Sequence, residues 1–219
     1  MPEKFAESLL TVIPPESYLH PNIQFTAMSL AVFSIVLAAE IALLTVIAVS
    51  IFFSNRHIWP PPKRGTWQQN LSWSLFTAVM FGVPLLGILN FESLGYFHWS
   101  RYLLGALLFA VGLGIDLWGT RTLTAQQSMG ESGKIITQGP YRYTRNPQYL
   151  GFMILYVGLI IVFSSFLALV TGAFAIFLFL ILPFSEEPWL RQQYGQAFED
   201  YRRMVPRFIG IRTFKPQIK

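Results

Sequence analysis

The chain has 219 residues, of which 53% are hydrophobic and only 12% charged, and its mean hydropathy is +0.46. So little charge, about half that of a soluble domain, excludes a disordered chain and an ordinary water-soluble domain and points to a protein that resides mostly in lipid. There is no cysteine, hence no disulfide, thiolate metal site or cysteine nucleophile; His20, His57 and His98 show no metal-ligand spacing; and the net charge of +5 reads as membrane topology rather than nucleic-acid binding.

A spanning helix needs roughly 20 apolar residues to cross a core of about 30 Å. Four apolar blocks reach that scale. They run from about Phe25 to Phe53, interrupted by Glu40, then from about Leu71 to Phe91, from Tyr102 to Trp118, and from Tyr149 to Phe184. The first 24 residues hold Pro14, Pro15 and Pro21 and lack the apolar core of a cleavable signal peptide. The last block is too long for one ordinary crossing, and Ser164-Ser165 lies near its middle. The expectation is therefore an all-α polytopic membrane protein with five transmembrane helices, the last two forming a tight helical hairpin.

All but two of the 16 basic residues, Lys4 and Arg101, fall in the segments 54–70, 119–148 and 185–219. With five spans these segments share one side. The positive-inside rule then puts the N-terminus outside and the C-terminus in the cytoplasm. The polar material available for chemistry lies mainly in 119–148 and 185–219.

Three stretches could carry that chemistry. In the third apolar block, Gly105, Gly112, Gly114 and Gly119 suit close helix packing, and Gly112 with Gly114 could instead make room for a ligand. Asp116 near its end and Glu40 in the first block are ionisable groups in lipid, functional candidates by default; Asp116 lies nearer the cytoplasmic segments. Residues 133–151 are dense in Gly, Pro, Tyr and Arg. Gly139-Pro140 marks a turn, and Asn146 reads as the N-cap of a helix with Pro147 in its first turn. The free N–H groups of such a start hold anions. Tyr141, Tyr143 and Tyr149 offer flat faces, and Arg142 and Arg145 offer forked donors. The same composition would also serve as a juxtamembrane anchor. In residues 183–210, Glu186 and Glu187 stand where the last span is expected to leave the membrane. Acids at a helix C-terminus oppose the dipole, which suggests a use such as holding an amine, although they could simply mark the water boundary. Beyond Pro188, the residues Trp189, Leu190, Tyr194, Phe198, Tyr201 and Val205 recur at helical spacing, predicting a C-terminal amphipathic cytoplasmic helix at the membrane surface that ends at Pro206.

Taken together, GPYRYTRNPQYLG, the long apolar hairpin and EEPWLRQQYGQAFEDYRRMVP resemble the integral-membrane methyltransferase superfamily of isoprenylcysteine carboxyl methyltransferases and phospholipid methyltransferases. The similarity covers roughly 105–210. The chain then reads as a single membrane domain, 1–219, with motif-free helices over 1–100 and a methyltransferase-like core over 101–210.

The resemblance implies an enzyme that uses S-adenosylmethionine, bound at the cytoplasmic face, and a lipid or lipophilic acceptor entering from the bilayer, with no metal and no nucleic acid. It implies Gly112, Gly114, Gln126, Lys134, Ile135, Ile136, Gly139, Tyr141, Asn146, Pro147, Tyr149, Glu186 and Glu187 as cofactor contacts. Asp116, Arg145 and Glu187 are the candidates to act on the reacting groups. The isoprenylcysteine enzymes carry Arg-His-Pro where this chain has Arg145-Asn146-Pro147, and an arginine shortly before the Glu pair where this chain has none. These departures favour a phospholipid head-group amine as acceptor. An isoprenylcysteine-type carboxylate, a thiol, a sterol-reductase-like NADPH enzyme and a non-catalytic lipid-binding scaffold are the alternatives.

Overall fold

A computed structural model describes residues 25–53, 58–96, 98–123 and 135–214. Every regular element among them is helical. We label the helices α1 (Ala27–Phe52), α2 (Trp67–Leu89), α3 (Ser100–Thr122), α4 (Pro147–Phe163), α5 (Phe166–Tyr194) and α6 (Gln196–Met204), with single 3-10 turns at Gly139–Arg142 and Ile211–Phe214. Helices α1, α2, α3 and α5 are long and apolar enough to cross a membrane, and α4 is a shorter apolar helix of 17 residues.

The core lies where α1, α2 and α5 meet. Val36, Leu43 and Ile47 of α1 pack with Val79, Val83 and Leu86 of α2 and with Ala175, Leu178 and Leu182 of α5, all nearly solvent-free. Helix α4 adds Met153 and Tyr156 to this core and carries α3 on its other side. In lipid, apolar burial gives little drive to associate, so close van der Waals approach must supply it. Small residues supply it between α3 and α4. A Cβ on Gly112 would stand 2.5 Å from the Gly151 carbonyl oxygen, and one on Gly105 would stand 2.7 Å from that of Gly158. Gly105, Gly112 and Gly119 are thus a contact stripe. The opposite face of α3, with Leu103 and Leu107, is exposed.

The break between α4 and α5 falls at the serine pair. Ser164 takes a left-handed conformation, φ 47°, and the Ser165 hydroxyl caps α5 by accepting from the Ala168 N–H at 3.2 Å. The loop after α2 closes over this turn, with Glu92 N–H bonded to the Phe163 carbonyl at 2.9 Å and Leu94 N–H to that of Ser164 at 3.0 Å. Arg101, its side chain buried, pairs with Glu92 there.

The last long helix departs from expectation. It does not end near Phe184 but continues through Pro183 and Pro188 to Tyr194. Prolines are tolerated inside membrane helices where neighbours compensate the freed backbone groups. Glu186 and Glu187 therefore lie two turns inside α5, outside the reach of its C-terminal dipole, and the expected mismatch with that dipole does not arise. The helix expected from Pro188 to Pro206 is divided at Gly195, φ 52°, into the end of α5 and the nine residues of α6. The apolar side of α6, Phe198 and Tyr201, is buried against Ile135, Leu190 and Tyr194 of the protein itself.

Candidate functional site

Two neighbouring cavities open around the start of α4 and the later turns of α5. The first is polar at its base and walled by Ile135, Ile136, Tyr141, Leu190, Tyr194 and Phe198, with Arg145, Asn146, Tyr149 and Glu186 also lining it. The second is apolar, walled by Trp73, Phe76, Phe152, Tyr156 and Phe179 from α2, α4 and α5, and Asp116 is the one charged residue lining it among the described residues. Trp59, Gln148 and Tyr149 line both.

Local sequence explains how the first cavity is built. Gly139 turns the chain with φ +57°, where a Cβ would also meet the Thr122 hydroxyl at 2.9 Å. Pro147 occupies the first turn of α4, as expected. Asn146 precedes it but makes no side-chain cap. Its amide donates instead to the Arg207 carbonyl at 2.9 Å, and the Thr144 hydroxyl donates to the same oxygen at 3.0 Å. Arg145 N–H reaches the Pro206 carbonyl at 3.0 Å. The loop before α4 is thus strapped to the segment after α6, which brings Arg207 over Glu187. The α6 side closes with Tyr201 donating to the Tyr141 carbonyl at 2.8 Å.

The two adjacent acids have different fates. Glu187 is clamped: Oε1 accepts from Arg145 at 3.0 Å and from Arg207 Nε at 2.8 Å, and Oε2 accepts from Arg207 at 2.9 Å. It lines neither cavity, and both of its oxygens are taken up by two arginines. Glu186 faces the first cavity. Its Oε1 accepts from Trp59 Nε1 at 2.7 Å and from the Tyr149 hydroxyl. No described residue donates to its Oε2. Arg145, with 9% of its side chain exposed, uses one nitrogen on Glu187, while its Nε and Nη1 are buried with no described partner.

Burial holds the Arg145 guanidinium below its ordinary pKa, and Glu187 partly offsets this; it remains a cation at neutral pH. Burial, reinforced by Tyr201 and Glu186, raises the Tyr141 phenol, and burial likewise raises Tyr201. Both phenols stay protonated and act as hydrogen-bonding groups, not bases.

This geometry tests the cofactor that the sequence resemblance implies. A methionine end needs an anion for its ammonium and a forked cation for its carboxylate. The first cavity is lined by both, Glu186 with no described donor to Oε2 and Arg145 with two buried nitrogens that have no described partner, beside aromatic and aliphatic walls that suit a purine. The residues present fit the group.

The structure brings Ile135, Ile136, Tyr141, Arg145, Asn146, Tyr149 and Glu186 together. Asp116 falls in the second cavity. Gly112 is consumed by the contact with α4 and leaves no room for a ligand, while Gly114 lies on the exposed side of α3 with nothing within 4 Å of an added Cβ; neither lines these two cavities. Gln126 and Lys134 lie outside the described residues. Sequence reasoning missed Trp59, Gln148 and Arg207. Gln148 sat unremarked inside the NPQYLG stretch, whereas Trp59 and Arg207 had only composition to mark them. Among the described residues no cluster of potential metal ligands occurs.

Comparison with known proteins gives a family match. Residues 100–197 match the family model described as phospholipid methyltransferase. The chain is 26% identical over 176 residues to protein-S-isoprenylcysteine O-methyltransferase B of Arabidopsis thaliana, covering 73% of this chain and 88% of that protein. It is 30% identical over 78 residues to protein-S-isoprenylcysteine O-methyltransferase of Schizosaccharomyces pombe, 35% of this chain and 33% of that one. It is also 24% identical over 120 residues to steroid 5-alpha-reductase DET2 of Solanum lycopersicum, 55% of this chain. The chain spans 46% of the tomato protein's length. No solved structure matches it with significance.

Proposed function

We propose that this chain, whose residues 100–197 match the phospholipid methyltransferase family model, transfers a methyl group from S-adenosylmethionine to a lipid or lipophilic acceptor, with a phospholipid head-group amine favoured. The observation that carries the reading is the pairing of two cavities. One is lined by an acid with one oxygen lacking a described donor and by an arginine with two nitrogens lacking a described partner, and the other is apolar with Asp116 as its single described charge. In this reading α1 to α5 all cross the bilayer, α4 despite its length, the N-terminus lies outside, and both cavities meet at the cytoplasmic end.

When bound, S-adenosylmethionine supplies a methyl group activated on a sulfonium. The protein's task is to hold donor and acceptor in line and to exclude water. Arg145 binds a carboxylate and Glu186 an ammonium. Glu187 and Arg207 fix Arg145, while Trp59 and Tyr149 fix Glu186. The walls of the second cavity receive an apolar chain from the bilayer. An acceptor amine breaks an N–H bond as its N–C bond forms, and Asp116, which lines the second cavity, would take that proton. No described cation lines the second cavity, which favours an amine over a carboxylate. A carboxylate acceptor of the isoprenylcysteine type is the second reading, supported by the long alignment to the Arabidopsis protein.

The deciding experiment is transfer of labelled methyl into membranes that contain the protein, followed by identification of the labelled species. Label in a head-group amine supports the favoured acceptor, and label in a base-labile ester supports the second. Binding of NADPH without binding of S-adenosylmethionine would replace both with the reductase reading.

A further inference from the structure

The segment after α6 carries an apolar tip that the two cavities do not use. Ile211 and Phe214 are 86% and 79% exposed, more than any other large apolar side chain among the described residues, the spans included, and Ile209 is 62% exposed. Ile211–Phe214 is a 3-10 turn, so its first and last side chains, three positions apart, stand on one side. The turn is fixed: the Gly210 N–H donates to the Thr213 hydroxyl and the Thr213 N–H to the Gly210 carbonyl, both at 3.0 Å. Arg212, also exposed, lies within it. Contiguous apolar surface of this kind marks a contact with a partner or a membrane.

The neighbouring contacts say which of the two it meets. The Pro206 and Arg207 carbonyls are held by Arg145, Thr144 and Asn146, and Phe208 packs against the core shared by α1, α2 and α5. The Arg207 guanidinium lies over the Phe184 ring at 3.9 Å. Phe184 closes the apolar run of α5, and with Phe177 and Leu180, at helical spacing, it forms an exposed stripe on that helix. On a helix that crosses a bilayer such a stripe faces lipid. The chain therefore leaves the bundle where the lipid-facing stripe ends, at the rim of the apolar layer. We propose that Ile209, Ile211 and Phe214 seat in the head-group interface of the bilayer that α5 crosses, with Arg212 against anionic head groups. Apolar side chains beside a cation on one short element suit that layer. The inference rests on α5 crossing the bilayer, not on the reaction. Since the same segment carries Arg207, the anchor ties the Arg207–Glu187 pair to the membrane surface.

The chain has no cysteine, so one introduced thiol carries a unique label. Ile211→Cys, Phe214→Cys and, as the water-exposed reference, Asp200→Cys are each labelled with a nitroxide in the full chain, in nanodiscs of phosphatidylcholine. Collision with oxygen, which concentrates in lipid, is compared with collision with a water-soluble nickel chelate. The ratio of oxygen to nickel collisions should be shifted toward oxygen at 211 and 214 relative to 200. Adding phosphatidylglycerol should shift it further at 211, an effect that fades in high salt. A label at Ile209→Cys should lose its lipid signature when Ile211→Ser and Phe214→Ser are introduced together, which separates the anchor from any affinity of the label itself. Nickel access at 211 and 214 equal to that at 200 would overturn the inference, as would labels that neither quencher reaches, since protein would then cover the tip. No change at 209 on the double substitution would also overturn it, and no response to phosphatidylglycerol would overturn the part given to Arg212.

Discussion

Arg145 provides the sharpest test of the cofactor cavity. Its side chain is nine-tenths buried, one nitrogen engages Glu187 at 3.0 Å, and two more have no described partner. Arg145→Lys keeps the charge and the size of the stem but replaces a planar fork with a single ammonium. One ammonium cannot reproduce both the ion pair with Glu187 and a two-nitrogen grip on a ligand carboxylate. Loss of a charge-assisted hydrogen bond is worth about 1.5–3 kcal/mol, which is roughly 10- to 150-fold in Kd. Calorimetry with S-adenosylmethionine should show that loss, while the thermal midpoint of the unliganded protein moves little because the Glu187 pair survives. The decarboxylated analogue of S-adenosylmethionine is the control: it has no group for Arg145 and should bind wild type and variant alike. An equal loss for both ligands, or no loss for either, would refute the assignment of the arginine to the carboxylate.

Other substitutions probe the remaining parts. Glu186→Gln preserves an acceptor for Trp59 and Tyr149 but removes the charge facing the ammonium, so S-adenosylmethionine should bind about 10-fold more weakly, as read by the same titration. Gly112→Ala drives a Cβ to within 2.5 Å of the Gly151 carbonyl and should cost about 1–3 kcal/mol, seen as a lower thermal midpoint in detergent, whereas Gly114→Ala, with nothing near it, should leave that midpoint unchanged. A lowered midpoint for Gly114→Ala would mean that this face of α3 is covered. Glu40 is fully buried and both its oxygens lack a described partner; an unsatisfied buried group costs about 1–3 kcal/mol, so Glu40→Leu should raise the thermal midpoint. A fall instead would show that the carboxyl has a partner.

Much of this was legible in the sequence because it rested on short-range signals. The Ser164-Ser165 break, the turn at Gly139 and the placement of Pro147 each follow from local backbone preference, and the structure has them where the residues indicate. The loop residues Tyr141, Arg145 and Tyr149 share a cavity with Glu186 because α4 and α5 form a hairpin that returns the chain to its starting level. The misses have a common cause, which is contact partners far away in the chain. The apolar run ends near Phe184, but inside a packed membrane bundle the helix continues through Pro183 and Pro188. Glu187 looked as available as Glu186 until Arg207, twenty residues on, was seen to close it. Gly112 and Gly114, two positions apart on one helix, could not be separated without knowing that α4 lies against only the first.

The two halves of the chain contribute differently to the two cavities. The family match spans 100–197, and within it lie Tyr141, Arg145, Tyr149 and Glu186, all lining the first cavity. The apolar cavity draws Leu43, Trp73, Phe76, Val79 and Met80 from α1 and α2, outside the matched segment. Trp59, also outside it, ties the halves by its bond to Glu186. If the second cavity receives the acceptor, its shape is set in good part by helices that carry no family motif. The matched segment contributes to both cavities, through Phe152, Tyr156 and Phe179 to the second, whereas α1 and α2 contribute only to the second. This is consistent with relatives whose names specify different substrates matching the same chain. Variation at Trp73 and Phe76 is accordingly expected to change which acceptor is methylated while leaving the Kd for S-adenosylmethionine unaltered. Acceptor profiling of Trp73→Ala and Phe76→Ala against a lipid extract, alongside titration of the cofactor, checks this division. A parallel loss of cofactor affinity in both variants would show that the cavities are not separable.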